Sequence, residues 1–325
     1  MKKTAFVTGM TGQDGPYLAK LLLEKDYQVY GLVKRYSNPN LDNIKWLGIE
    51  NDIELVTGDI TDENSMNHLI RSLKPVEIYN LAAQSFVGIS WDLNKLTTEV
   101  NSIGPLNILN AIKTHSANSR FYQASTSEMF GNATTNIQNE TTPFTPRSPY
   151  GVSKLYSHWM TVNFRESYSL YACSGVLFNH ESPLRGKEFV TRKVTDAVAR
   201  IKLGLQETIT LGNLDSQRDW GFAGDFVEAM WLMLQQAEAK DYVIATGEQH
   251  TIRELLDVAF NHVGISEWES KVLTDPRFKR PAELYSLCGD STRARSLLDW
   301  KPKTTFKQMI EDMVDADLQR YQPRQ

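Results

Sequence analysis

Cysteine is nearly absent: only Cys173 and Cys288 occur in 325 residues, and neither lies in a Cys-x-x-Cys pair or other metal-ligand spacing. The pattern offers no disulfide framework and no metal centre. An excess of charge of one sign is also missing, because 35 basic and 39 acidic residues leave a net charge of -4, which gives no electrostatic footprint for nucleic acid. An anionic ligand must be held by local groups. No run approaches the roughly eighteen apolar residues of a membrane helix. Met1-Lys-Lys-Thr-Ala-Phe-Val begins like a signal peptide, but Gly9, Thr11, Gly12, Gln13 and Asp14 end it too early. A reducing cytoplasm is the expected setting. Internal repeats and low-complexity tracts are lacking as well.

What remains is ordinary globular material, 41% hydrophobic and 23% charged, long enough to bury a large core in one or two joined domains. Strand-sized apolar runs at Thr4–Thr8, Gln28–Val33, Ile53–Thr57, Val76–Leu81 and Arg120–Ala124 alternate with amphipathic segments such as Pro16–Lys25, Glu63–Leu73 and Thr97–Thr114. That alternation predicts an α/β fold with a doubly wound parallel sheet. A long helix over Tyr150–Ser169 and a buried strand over Tyr171–Phe178 follow. Beyond Asn179 the pattern loosens into a loop at His180–Lys187, helices over Val190–Leu203 and Phe222–Gln236, and short strands near Thr208–Leu211 and Asp241–Ile244. We expect residues 1–178 to form the dinucleotide domain. Residues 179–325 are expected to form mainly a smaller, interleaved α/β substrate region, with some segments returning to the first. Tyr36–Asn43 is the expected long loop of the first half.

The run Gly9-Met-Thr11-Gly12-Gln13-Asp14-Gly15 follows the first strand directly and opens a helix. Glycines there let the backbone turn tightly and approach a pyrophosphate, whose charge meets the helix N-terminus, so the spacing predicts a dinucleotide (Rossmann) site. Glycines serving packing alone are the competing reading. At the end of the second strand stand Lys34 and Arg35, with no acid before Asp42. An acid there would hold the adenosine ribose hydroxyls of NAD, whereas two cations suit the 2′-phosphate of NADP. NADP is therefore the expected cofactor, with Arg35 at its phosphate. Asp59 and Ile60 follow the third strand, and Leu81, Ala82, Ala83, Gln84 and Ser85 follow the fourth, at the carboxyl ends where open α/β sheets bind ligands. Asp59 suits an adenine amino group, and the small alanines admit close approach of the backbone.

Ser125-Thr126-Ser127-Glu128 ends the fifth strand, and Tyr150-Gly-Val-Ser-Lys154 opens the long helix. The Tyr-x-x-x-Lys spacing puts a phenol and an ammonium one turn apart on one helix face, so the cation favours the phenolate. Such a pair is a base for an alcohol proton. Alone it occurs by accident in many helices; its place after a dinucleotide turn and a Ser-Thr-Ser-Glu cluster gives it meaning. Glu128 adds an acid that simple alcohol oxidation does not need.

On these motifs the chain resembles the extended short-chain dehydrogenase/reductase superfamily, and within it the GDP-mannose 4,6-dehydratase family. The resemblance runs almost the whole length, through Thr8–Gly15, Asn80–Ser85, Tyr122–Glu128, Pro146–Gly151, Leu177–Pro183, Phe189–Lys193 and Arg218–Gly221. It implies that Tyr150, with its pKa lowered by Lys154 and the nicotinamide cation, deprotonates a sugar 4-hydroxyl as hydride leaves carbon 4. Thr126 would hold that oxygen. Glu128 would remove the carbon 5 proton while the 6-hydroxyl departs as water, and hydride would return to carbon 6. Superfamily epimerases keep Tyr and Lys without needing such an acid.

The same resemblance implies cofactor contacts from Tyr150, Lys154, His180 and Arg185, and a GDP-sugar held by Ser85, Thr126, Glu128, Asn179, Val190, Lys193, Arg218, Arg280 and Glu283. Many relatives carry Thr-Asp-Glu where this chain has Ser127, so protonation of the leaving hydroxyl falls to Glu128, Tyr150 or water. Tyr285 departs from the family's usual sequence, and the stretch after Arg35 resembles the shorter bacterial form. A homo-oligomer, dimer or tetramer, is expected. The substituent at carbon 2 is not legible, so GDP-N-acetylglucosamine or another GDP-sugar is the alternative substrate. An epimerase, a 4-reductase and a non-catalytic NADP-binding sensor stand further off.

Overall fold

A computed structural model describes residues 2–35, 40–275 and 287–322. Strands β1 (Thr4–Thr8), β2 (Gln28–Val33), β3 (Glu54–Thr57), β4 (Glu77–Asn80), β5 (Arg120–Thr126) and β6 (Ala172–Leu177) come first in the chain. Three short strands follow, β7 (Asn179–Glu181), β8 (Ile209–Leu211) and β9 (Gln217–Arg218), then β10 (Trp220–Phe222), β11 (Tyr242–Ile244), β12 (His250–Thr251) and β13 (Val272–Thr274). Seven of them form one all-parallel sheet in the order β11-β6-β5-β4-β1-β2-β3. Chain order reverses at β1, between β4 and β2, which is where an open α/β sheet leaves a crevice at its carboxyl edge.

The helices are α1 (Asp14–Glu24), α2 (Asp42–Trp46), α3 (Glu63–Leu73), α4 (Asn94–Thr98), α5 (Gly104–His115), α6 (Pro149–Tyr168), α7 (Val190–Lys202), α8 (Ala223–Met233), α9 (Ile252–His262), α10 (Thr292–Leu298) and α11 (Phe306–Tyr321). Successive residues of a strand face opposite sides of a sheet, and the sequence exploits this. Phe6, Ile78, Phe121 and Ala172 pack with Met66 and Ile70 of α3, Ile108 and Ile112 of α5 and Phe164 of α6. Their neighbours Ala5, Val7, Tyr79, Tyr122 and Cys173 pack on the other side with Leu18 and Leu22 of α1 and Phe226 and Met230 of α8. Both faces are thus buried. A separate core joins Val194 and Val198 of α7, Leu255 and Phe260 of α9, and Ile310 and Met313 of α11 around Trp220.

The helix expected over Thr97–Thr114 is three pieces: α4, a π turn at Glu99–Ile103, and α5. Pro105 has no amide proton to give to a preceding carbonyl, so it suits the first turn of α5 and not a helix interior. In the expected loop Tyr36–Asn43, residues 36–39 lie outside the described part, and Asn40 Oδ1 accepts from the amide of Asp42 at 2.9 Å to start α2. Between Gln217 and the C-terminus, α9, α10 and α11 lie beyond what the periodicity reading named. The start signals of α9 and α11 were in the sequence: Thr251 and Glu254 form a capping box, and the Thr305 hydroxyl accepts from the amide of Gln308.

Candidate active site

The crevice at the carboxyl edge of the sheet is a cleft of about 590 Å³. Its floor is the glycine turn. Gly9 has φ +72° and a Cβ there would lie 2.8 Å from the amide nitrogen of Ala82; a Cβ on Gly15 would lie 2.6 Å from the Gly9 carbonyl oxygen. Only glycine fits both places. Thr8, at the end of β1, donates to Asn80 Oδ1 at 2.7 Å and accepts from the amides of Leu81 and Ala82, each at 3.1 Å. Asn80 in turn donates to Gln123 at 2.8 Å, so a buried polar ladder locks the ends of β1 and β4 to the middle of β5.

Around that floor stand Thr11, Gly12, Gln13, Asp14, Asp59, Ile60 and Leu81 to Ser85, all among the residues lining the cleft. Asp14 and His180 face each other, with Nε2 2.8 Å from Oδ2, while Nδ1 lies 2.8 Å from the Phe178 carbonyl oxygen. Burial opposes ionisation of both, but the pair outweighs it: the imidazole is pushed above its ordinary pKa and the carboxyl held below its own. His180 also stacks on Phe226, 4.8 Å between centres. The structure therefore ties His180 to Asp14 and to Phe226 of α8.

At the end of β2, Lys34 lines the cleft and its Nζ is 3.1 Å from Asp59 Oδ2. Burial would raise the Asp59 pKa, but hydrogen bonds from Thr61 and the Lys34 cation draw it down. Arg35, the residue expected at a phosphate, is not among the lining residues. Gln84 Oε1 is buried with no hydrogen-bond partner among the described residues. An open acceptor in a cleft whose glycines exclude a Cβ fits a bound dinucleotide with hydroxyl or amide donors.

The other end of the cleft holds Ser125, Thr126, Ser127, Glu128, Tyr150 and Lys154. The Thr126 hydroxyl accepts from the Glu128 amide at 3.3 Å, which turns the chain into a short 3-10 segment, Ser127–Met129, and aims Glu128 inward. Ser148 caps α6 by accepting from the Gly151 amide at 3.0 Å, with Pro149 at the first helical position. That cap fixes where Tyr150 and Lys154 emerge. Asn101, on the π turn and 1% exposed, clamps Gln84: Oδ1 accepts from its amide at 2.8 Å and Nδ2 donates to its carbonyl at 3.0 Å and to Ser153 Oγ at 3.2 Å. π turns recur where a side chain must be re-aimed.

Without a nicotinamide cation, the surroundings of Tyr150 oppose its ionisation. Burial pushes the Tyr150 phenol up to about 12, with Glu128 adding to the rise and a hydrogen bond from Thr126 and the charge of Arg185 opposing it. The Lys154 Nζ donates to the Ala124 carbonyl at 2.8 Å and lies 5.9 Å from the Tyr150 ring centre. Burial lowers the ammonium itself to about 8. Helical spacing reports a shared face, not the desolvation that a closed cleft imposes.

Asn179 and Arg185 also line the cleft, with the Arg185 guanidinium 3.5 Å over the Phe189 ring and Phe189 edge-on to Phe86. Val190, Lys193 and Arg218 lie outside that lining. Lys193 donates to the Thr210 carbonyl at 2.7 Å and Arg218 to the Gln217 carbonyl at 2.7 Å. Arg218 is carried next to β10, whose Trp220 pairs in parallel register with Asn179. Arg280, Glu283 and Tyr285 fall outside the described residues. Among those residues no cluster of His, Cys, Asp and Glu suits a metal ion.

A family model described as GDP-mannose 4,6 dehydratase matches residues 6–313. The chain belongs to this family. An Arabidopsis thaliana protein named GDP-mannose 4,6 dehydratase 1 is 50% identical over 328 residues, spanning 98% of this chain and 90% of that one. The Homo sapiens protein named GDP-mannose 4,6 dehydratase is 49% identical over 342 residues, spanning 98% and 92%. Among solved structures, the UDP-glucose 4-epimerase of Thermus thermophilus in complex with NAD is similar with a TM-score of 0.83 and 26% identity, over 97% of this chain and 98% of that chain.

Against the family's stretches, sequence reasoning missed Phe86, Asn101 and the direct role of Lys34 as a cleft residue. Phe86 directly follows the stretch ending at Ser85, and Lys34 stood beside the residue chosen. Asn101 had no signal, since nothing in a helical pattern marks a π turn.

Proposed function

We propose that this chain is an enzyme, a GDP-mannose 4,6-dehydratase that uses a nicotinamide cofactor, NADP, and returns it unchanged. The observation that carries the reading is Glu128 in the same cleft as Tyr150 and Lys154, in a chain half identical to proteins so named. Gly9, Gly12 and Gly15 with the α1 N-terminus would hold the pyrophosphate, Lys34 with Arg35 the 2′-phosphate, and Leu81–Ser85 with Lys154 the nicotinamide half. The nicotinamide ring, when bound, supplies a hydride acceptor and donor and a positive charge beside Tyr150. Tyr150 takes the proton of the 4-hydroxyl, and Thr126 holds that oxygen. The resulting ketone acidifies carbon 5, from which Glu128 takes the proton as the 6-hydroxyl leaves. Two protons are taken from the sugar, from oxygen 4 and carbon 5; one departs with the 6-hydroxyl as water and one returns to carbon 5. No outside oxidant is consumed, so the step is a hydro-lyase reaction.

Asn179, the Val190 backbone, Lys193, Arg218, Arg280 and Glu283 are proposed as the GDP side, which divides the chain near residue 178. A homo-oligomer is proposed too. Exposed Leu96, Ile103, Val152, Tyr156 and Trp159 on the neighbouring segments 94–103 and 149–168 support a second copy as the cover for that face. No helix of the described residues is long and apolar enough to cross a membrane, and we place the enzyme in the cytoplasm. The test is a panel of GDP- and UDP-sugars followed by mass spectrometry. Loss of one water from GDP-mannose is expected; loss from GDP-N-acetylglucosamine alone would move the substrate, and no loss from any sugar would overturn the reading.

A further inference from the structure

We propose that Asp317, on the C-terminal helix, is a positioning residue for the cofactor: through Arg192 and Arg320 it fixes the backbone of Pro183–Arg185 and so sets the wall formed by His180 and Arg185. The inference rests on the reading of the cleft as a dinucleotide site.

The Pro183–Arg185 segment has no regular secondary structure, and side chains from three other elements take its carbonyls. Arg192 Nη1, from the first turn of α7, donates to the Pro183 carbonyl at 2.8 Å and the Arg185 carbonyl at 3.0 Å. Arg320 Nη2, from α11, donates to the same Pro183 carbonyl at 2.7 Å. Asn43 Nδ2, from α2, reaches the Leu184 carbonyl at 3.3 Å and the Gly12 carbonyl at 2.9 Å, so the segment is also joined to the glycine turn.

Asp317 organises both arginines. It is fully buried and accepts from Arg192 Nε at 2.9 Å, Arg320 Nη1 at 2.9 Å and the Thr195 hydroxyl at 2.8 Å, while Arg192 Nη2 stands 2.6 Å away. One carboxylate cannot use ten guanidinium N–H groups, and a buried donor left unpaired is costly. The surplus is spent on the loop carbonyls. The planar fork of Arg192 is essential here, because it meets a carboxylate on one edge and two carbonyls on the other.

What this yoke holds faces the cleft. Arg185 Nε is 3.0 Å from Glu181 Oε2 but is a buried nitrogen without a well-aligned acceptor. Its guanidinium is kept over Phe189. Two residues upstream of Leu184, Ser182 Oγ donates to Gln13 Oε1 at 2.9 Å, and Gln13 donates to the His180 carbonyl at 3.0 Å. A shift of the Pro183–Arg185 backbone therefore moves Arg185, His180 and the glycine turn together, while the side chains of Lys193 and Arg218 donate to the carbonyls of Thr210 and Gln217.

The test uses full-length Asp317→Asn and Arg320→Met, with NADPH binding followed by fluorescence and GDP binding by calorimetry. Arg320→Met keeps the Arg192–Asp317 pair, so it decides the matter if Asp317→Asn does not fold. The expected result is NADPH affinity weakened about tenfold, with GDP affinity within about twofold of the parent. Unchanged NADPH affinity in the folded variants, or equal loss for both ligands, would overturn the proposal. Failure of the parent protein to bind NADPH would instead overturn the dinucleotide reading beneath it.

Discussion

Lys154 Nζ donates to the carbonyl of Ala124 at 2.8 Å and so spends its charge on the end of β5, while Tyr150 keeps a phenol pushed up to about 12. Burial is the largest cause of that rise, so a positive charge brought next to the phenol would favour its ionisation.

A stability prediction follows from the same pair. The ammonium of Lys154 is lowered from 10.5 in an open chain to about 8 by burial, so between those values the unfolded chain binds the proton and the folded one does not. Stability then rises with pH across that window. Compared with Lys154→Met, the cofactor-free parent should gain about 3 kcal/mol between pH 8 and pH 10.5, read by urea unfolding at each pH. A pH-independent difference would show that the lysine is not desolvated.

Glu128→Gln keeps shape and loses the base. Its kcat for loss of water should fall by roughly 10² to 10⁴, while GDP and NADPH affinities stay unchanged. Undiminished turnover would remove Glu128 from the mechanism.

The proposed preference for NADP rests on the cations at the end of β2. Lys34→Ala, with the 3.1 Å contact to Asp59 lost, should weaken NADP binding about tenfold and NAD binding by less than about twofold; Arg35→Ala should act in the same direction. Equal losses for the two cofactors, measured by titration, would sink the assignment to NADP.

Asn101→Leu removes three hydrogen bonds and leaves the Gln84 amide and carbonyl without their buried partners. An unfolding cost of about 2 kcal/mol or more is expected, together with a lower kcat, because Gln84 and Ser153 lose their common anchor. A thermal midpoint equal to the parent's would show that water replaces the clamp.

Much of this was legible before any coordinates. Alternating apolar runs place β1 to β6, since strands buried on both faces leave a strong local signal, and the glycines at 9 and 15 are required by contacts that their spacing anticipates. Side-chain spacing also brings Thr126, Glu128, Tyr150 and Lys154 to one cleft. What spacing cannot carry is the environment: the phenol's pKa depends on burial by segments such as the one bearing Arg185, far along the chain. The Asp317 yoke is invisible for the same reason, because an aspartate in a polar helical stretch reads as a solvated one. Charge pattern marks Lys34 and Arg35 alike, and only the end geometry of β2 puts Lys34 in the cleft lining.

The central claim is that hydride is taken from carbon 4 and given back to carbon 6 of the same sugar while one water is lost. GDP-mannose carrying deuterium at carbon 4 tests it most directly. The account predicts a product lighter by one water that retains the deuterium at carbon 6, with no net reduced cofactor. Deuterium recovered in the cofactor, or a carbon 4 epimer formed without loss of water, would contradict it.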